Sequence, residues 1–270
     1  MEGSSRASYT AARTTLHEQI AGDVDAGAIG DQLFSVTSVL DSSASLRRAL
    51  ADPSAENSAK VGLADRLFGG KVNGAVHAVI RSLTEQRWAA ERDLADAAAD
   101  LAVEAVMIGA DREGRIGQVE EELFRFERTV AGNAGLRDAM TDSHRSGEDK
   151  AGLVRTLLEF KVAPETLTLA RQAAAHPRGR RYERVLESYV ATAARLREQL
   201  TATAFVAHPL DDDQRDRLAA ALNEIYQRDV QVNVVVDPSV VGGMRVQVGD
   251  EVIDGSLASR LDEARRLMSR

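Results

Sequence analysis

One stretch of this chain occurs twice, and that limits the folds open to it. Ser43 to Val72, SASLRRALADPSAENSAKVGLADRLFGGKV, aligns without gaps on Asn133 to Val162, NAGLRDAMTDSHRSGEDKAGLVRTLLEFKV, at a spacing of 90 residues. Leu46/Leu136, Arg47/Arg137, Asp52/Asp142, Lys60/Lys150, Gly62/Gly152, Leu63/Leu153, Leu67/Leu157 and Lys71-Val72/Lys161-Val162 are identical pairs. Unrelated amphipathic segments share periodicity but not their turn residues, so the agreement marks a duplicated structural unit. With a one-residue shift it continues into the segments around Leu94 and Val185. Arg6 to Gly22 finds no counterpart in the second copy, so the repeat is expected to lack the first helix.

The repeated unit is helical. Val76, Val79, Ile80 and Leu83 recur at i, i+3, i+4, i+7, and Leu94, Ala98, Leu101, Ala105 and Ile108 extend the same pattern. Asp52-Pro53-Ser54 opens a helix, Gly69-Gly70 closes one, and Gly132 to Gly135 separates two. Aromatic residues make up only 4% of the chain, which suits closely packed, alanine-rich helices. From Glu91 to Val130 the chain reads as one kinked helix or two. Gly109, Gly114 and Gly117 each cost about 1 kcal/mol inside a helix, which favours a break.

After Leu200 the period changes. Thr201 to Ala207 is β-branched and aromatic, Asp211-Asp212-Asp213 caps a helix carrying Leu218, Leu222, Ile225 and Tyr226, and Val230 to Val236 and Met244 to Val248 alternate as strands. Gly249-Asp250 predicts a tight hairpin into a strand at Glu251 to Asp254, and Ser256 caps a last helix. The expected architecture is mostly α with a small α/β C-terminal domain. Helical bundles at 6–110 and 111–200 precede a β-α-β-β-β-α domain at 201–270.

Several chemistries are excluded or unsupported. The chain has no cysteine, which removes disulfides, thiolate metal sites and thiol catalysis. Gly69-Gly70-Lys71 lacks the upstream glycine and the Ser/Thr of a nucleotide-binding loop, and the five histidines are scattered singly. Asp211 to Asp213 reads as helix capping rather than a cation loop, and Asp250, Glu251 and Asp254 as turn residues without a neighbouring nucleophile. No catalytic residue, metal ligand or cofactor is expected. A net charge of −8 argues against nucleic acid as a partner. The basic run Arg178, Arg180, Arg181 and Arg184 reads as a solvated face or a contact for an acidic protein. No apolar run has the length of a signal peptide core or of the ~18 residues of a membrane span.

Asp237 to Leu261, DPSVVGGMRVQVGDEVIDGSLASRL, resembles the C-terminal signature of the delta subunit of bacterial F-type ATP synthase, whose mitochondrial relative is the oligomycin-sensitivity-conferring protein. Asp237, Gly242, Gly243, Gly249, Asp250, Asp254, Gly255 and Ser256 carry the match, and Ser5 to Ala12 is similar to the family's first helix. The duplicated bundle departs from the ordinary layout of one six-helix domain before the small α/β domain. A longer actinobacterial form is similar; some of its members carry a fused stalk segment, whereas this chain begins without a transmembrane stretch.

The resemblance implies a non-catalytic peripheral-stalk subunit, held at the cytoplasmic face of the bacterial plasma membrane only through its complex and needed to couple proton flow to ATP synthesis. Its implied partners are the N-terminal helices of the alpha subunits and the C-terminal region of the b subunit. Carried over residue by residue, the groove for the alpha helix involves Tyr9, Ala12 and Leu16 with Val76, Val79, Ile80 and Leu83. The second copy offers Thr166 to Arg171 as an alternative, and any of these side chains could equally be core. Two other classes stay open at this point: a helical DNA-binding regulator and a small-ligand enzyme.

Overall fold

The computed structural model describes residues 3–22, 24–199, 201–226, 230–238, 240, 242–248 and 251–254. It divides into two compact units, Met1–Ala193 and Ala194–Arg270.

The first unit is all helix: α1 (Ser4–Gln19), α2 (Ala26–Ser42), α3 (Ala44–Ala51), α4 (Asn57–Phe68), α5 (Gly74–Glu85), α6 (Glu91–Arg112), α7 (Ile116–Gly132), α8 (Ala134–Thr141), α9 (Gly147–Leu158), α10 (Pro164–Ala175) and α11 (Tyr182–Gln199). The bounds of α2 to α5 recur in α7 to α10 at a spacing of 90, and α6 is followed by α11 at 91. The duplication therefore holds to the residue. It extends to local hydrogen bonds. Ser43 and Asn133 each cap their helix by accepting from the N–H of Leu46 and Leu136. Gln32 Oε1 accepts from the Asn73 N–H at 2.7 Å, and ninety residues on Glu122 Oε2 accepts from the Ala163 N–H at 2.9 Å. Side-chain caps of this kind satisfy amide groups that a helix start leaves without partners.

Glu91 to Val130 proves to be two helices. Gly114 turns the chain at φ 68, a left-handed conformation that glycine adopts without strain, and α7 begins two residues later.

The expectation that the second copy lacks a first helix is overturned, because α6 fills that place. The buried face of α1 is Ser5, Ser8, Ala12 and Leu16, and the residues ninety further on, Ala95, Ala98, Ala102 and Val106, are buried in α6. One helix thus ends the first copy and begins the second. It is buried nearly all round, as a helix shared by two sets of neighbours must be, and alanine supplies most of that surface. Its approach to α2 is set by glycine. A Cβ on Gly30 would lie 2.5 Å from Val106 Cγ2 and 2.9 Å from the Ala102 carbonyl oxygen.

The second unit holds β1 (Thr201–Val206), α12 (Asp212–Tyr226), β2 (Gln231–Val236), β3 (Met244–Val248) and β4 (Glu251–Asp254). The sheet order is β2-β1-β3-β4, with β1 parallel to β2 and antiparallel to β3. The parallel pair is joined through α12, as a parallel connection requires. Ala202, Ala204, Val246 and Val248 form the inner sheet face, against which Leu222 of α12 packs with Leu218 and Tyr226. The chain is therefore mostly α with a small α/β unit. The final helix expected from Ser256 lies outside the described residues.

Candidate docking surfaces

The seven groove residues come together where α1 meets α5. Ala12, Leu16, Val76, Val79, Ile80 and Leu83 are all buried, forming the dry seam that holds the two helices to each other and to their neighbours. Tyr9 is half-buried, with its hydroxyl 3.3 Å from Glu104 Oε2 of α6. What α1 and α5 offer to a visiting helix is the rim of that seam: Ala11 and Thr15 on one side, Ala78 and Ser82 on the other, all half-buried, with Thr15 Oγ1 3.0 Å from Ser82 Oγ. In the second copy the alternative residues divide. Thr166, Leu169 and Ala170 are buried and Arg171 is exposed, while α6, in the place of α1, is enclosed.

Two polar groups that periodicity did not single out fix these helices. Glu104 is fully buried in α6 and accepts from Arg13 Nε at 2.7 Å, with His17 Nε2 also 2.7 Å away. Burial alone would raise its carboxyl, but the His17 hydrogen bond and the Arg13 charge outweigh it and hold Glu104 below the ordinary carboxylate value. A lone acid inside the run Ala102 to Ile108, opposite Arg13 and His17 spaced i, i+4, was the available signal.

The second group is Arg178. Its side chain is only 5% exposed, between Asp41 of α2 and Asp96 of α6. The solvated face expected for this arginine is corrected: the turn between α10 and α11 carries it into the seam between the two copies. There a cavity of about 350 Å³ is lined by Phe34, Ser38, Asp100, His176, Arg180 and Tyr189, among others. Burial pushes the Asp100 carboxyl up to about 6, with Asp96 adding to the rise and Arg180 opposing it.

In the second unit the signature residues build a turn. Gly242 and Gly243 stand at φ 69 and 74, Asp237 donates its N–H to the Val206 carbonyl at 2.9 Å, and Val240 N–H returns to the Asp237 carbonyl at 3.1 Å. The outer sheet face carries Thr203, Phe205, Asn233, Val235, Arg245, Gln247 and Val252, with the Arg245 guanidinium 4.7 Å over the Phe205 ring. Asp254 ends β4 in register with Arg245. Gly249, Asp250, Gly255 and Ser256 lie outside the described residues. Among the described residues no helix is long and apolar enough to cross a membrane.

The family described as "ATP synthase delta (OSCP) subunit" matches residues 95–268, so its match begins within α6. The "ATP synthase subunit delta" of Kineococcus radiotolerans is 49% identical over 99% of this chain and 97% of its own. Those of Acidothermus cellulolyticus and Streptomyces avermitilis are each 43% identical, over 100% and 99% of this chain and 100% and 98% of theirs. These alignments run almost end to end, so the relatives have the length for both copies and the small α/β unit. On the family match, the near-complete alignments and the signature turn at Gly242-Gly243, the chain belongs to the ATP synthase delta (OSCP) subunit family.

Proposed function

We propose that the chain is a non-catalytic stator subunit of the proton-translocating F-type ATP synthase. It links the alpha subunits of the catalytic head to the b-subunit stalk, so that the head does not turn with the rotor and proton flow stays coupled to ATP synthesis. The observation that carries this reading is the near end-to-end likeness to ATP synthase delta subunits. In this reading residues 6–110 and 111–200 act as two delta-type helical bundles, and 201–270 receives the C-terminal region of b. The complex holds the chain at the cytoplasmic face of the plasma membrane.

The rim of the α1–α5 seam is the favoured seat for an alpha-subunit N-terminal helix. Its small side chains permit close approach along two helices, and docking of a helix in a groove gives broad, slowly dissociating contact without chemistry. The second copy supports this choice by contrast, since α6 has no comparable free face. On the sheet, Phe205 with Val235 and Val252 supplies apolar area for the b subunit.

Titration calorimetry of the full chain with the alpha-subunit N-terminal peptide of the same organism tests the reading. Binding is expected, and Ala78→Glu, which places a charge on the rim, is expected to abolish it without lowering the melting temperature. A folded chain that binds neither the alpha peptide nor the b C-terminal segment overturns it.

A further inference from the structure

The two copies share their helix bounds but not their surroundings. Phe34 of α2 is 6% exposed, and across the cavity it faces the turn of the second copy that carries His176 and Arg178. The residue ninety further on, Phe124 of α7, is 50% exposed. Elsewhere the two helices agree: Ile29, Leu33, Val36, Thr37 and Leu40 are buried in α2, as are Val119, Leu123, Phe126, Glu127 and Val130 in α7. The difference is confined to the stripe that the following copy covers in α2 and that no following copy covers in α7. An exposed aromatic on a stripe that is buried in its own duplicate marks an interaction surface.

Charge identifies the occupant. In the first copy the cover brings Arg178, whose Nη1 lies 3.2 Å from Asp96 of α6. At the spacing of 91 that relates α6 to α11, the place of Asp96 is taken by Glu187, another acid, whose side chain is 44% exposed. The places of Thr37 and Gly30 are taken by Glu127 and Glu120, so acids surround Phe124 where the first copy has small or neutral residues. Val190, at the place of Ala99, continues the apolar stripe. Such a face complements a cation beside an apolar anchor.

We propose that the α7 face centred on Phe124 docks another subunit of the ATP synthase, through a segment that carries an arginine or lysine beside an apolar side chain and seats as the Arg178 turn seats on α2. This rests on the chain's place in the ATP synthase.

Because the chain lacks cysteine, Phe124→Cys introduces its one thiol. Maleimide labelling of that thiol is compared between the isolated chain and purified ATP synthase, and a benzophenone attached there identifies the neighbour. Labelling at least tenfold slower in the complex, with capture of a Lys- or Arg-containing apolar segment of another subunit, is expected. Equal rates, or capture of an acidic segment or of the chain's own C-terminal unit, overturn the proposal. Should the variant fail to fold or assemble, hydroxyl-radical oxidation of Phe124 in the unaltered chain, free and assembled, gives the same comparison. A complex that lacks the chain altogether counts against the stator reading; a complex that contains it with Phe124 open counts against this inference alone.

Discussion

Arg178 Nη2 lies 2.9 Å from Asp41 Oδ1, joining residues 137 apart in sequence across the seam between the two copies. Arg178 adopts φ 55 to do so, a left-handed conformation that costs about 1 kcal/mol for a side-chain-bearing residue. The ion pairs with Asp41 and Asp96 offset that strain. Both acids keep some contact with water, so Arg178→Met is expected to destabilise the helical unit by about 1–2 kcal/mol, less than a wholly buried pair would lose. Urea unfolding followed by far-UV circular dichroism measures it; an unchanged midpoint would show that the seam does not depend on the arginine.

Glycine substitutions separate close packing from mere helix propensity. Gly30→Ala drives a methyl into Val106 and the Ala102 carbonyl oxygen, and a loss of about 2–3 kcal/mol is expected. Gly62→Ala and Gly152→Ala sit inside α4 and α9 with nothing within 4 Å of the new methyl, so each is expected to gain about 0.5–1 kcal/mol. Thermal melts of the three variants should move in these opposite directions.

Phe160 stands at φ 64 with its side chain 99% exposed, at the place where the first copy has Gly70 at φ 70. Phe160→Gly removes the strain and loses no packing within the chain. A gain of about 0.5–1 kcal/mol in the isolated chain is expected by differential scanning calorimetry, and a loss would contradict the reading.

Two buried acids give stability of opposite pH dependence. Asp100 is raised from 3.8 to about 6, so the folded state holds its proton more tightly than the unfolded chain does. Its contribution is greatest below 3.8 and is lost as pH rises to about 6. Glu104 lies below 4.5, so its contribution is present above that value and lost as pH falls. Asp100→Asn is therefore expected to stabilise the chain by on the order of 1–3 kcal/mol near neutral pH and to have little effect below about pH 4, whereas Glu104→Gln destabilises most near neutrality. Denaturant midpoints across that pH range distinguish the two.

Gly243→Val forces a β-branched side chain to φ 74 in the turn before β3. A loss of at least about 1 kcal/mol in the second unit, and weaker assembly with the stalk, are expected. Equal stability and equal affinity for the b segment would contradict this.

The duplication and most helix bounds were legible because turn residues such as Asp52/Asp142 punctuate both copies alike. The strands of the second unit were legible from alternation alone. The double role of α6 was not: against α1 it keeps only small or aliphatic residues on the buried face, Ser5/Ala95 and Leu16/Val106 among them, and no identity across the charged positions betrays the match. Nor could periodicity tell an open groove from a closed seam, because Leu16 and Val79 read as apolar in either case. Arg178 misled for a related reason. A run of arginines reads as surface until the fold brings Asp41 and Asp96 to it.

The sharing of α6 also has a mechanical consequence. Tandem units are commonly joined by a linker about which they swivel, but here 22 residues, a rod of about 33 Å, belong to both copies at once. Bending one copy against the other means shearing the Gly30–Ala102 contact or breaking the rod itself. The helical unit is thus a stiff beam, and force applied to one copy reaches the other with little elastic delay.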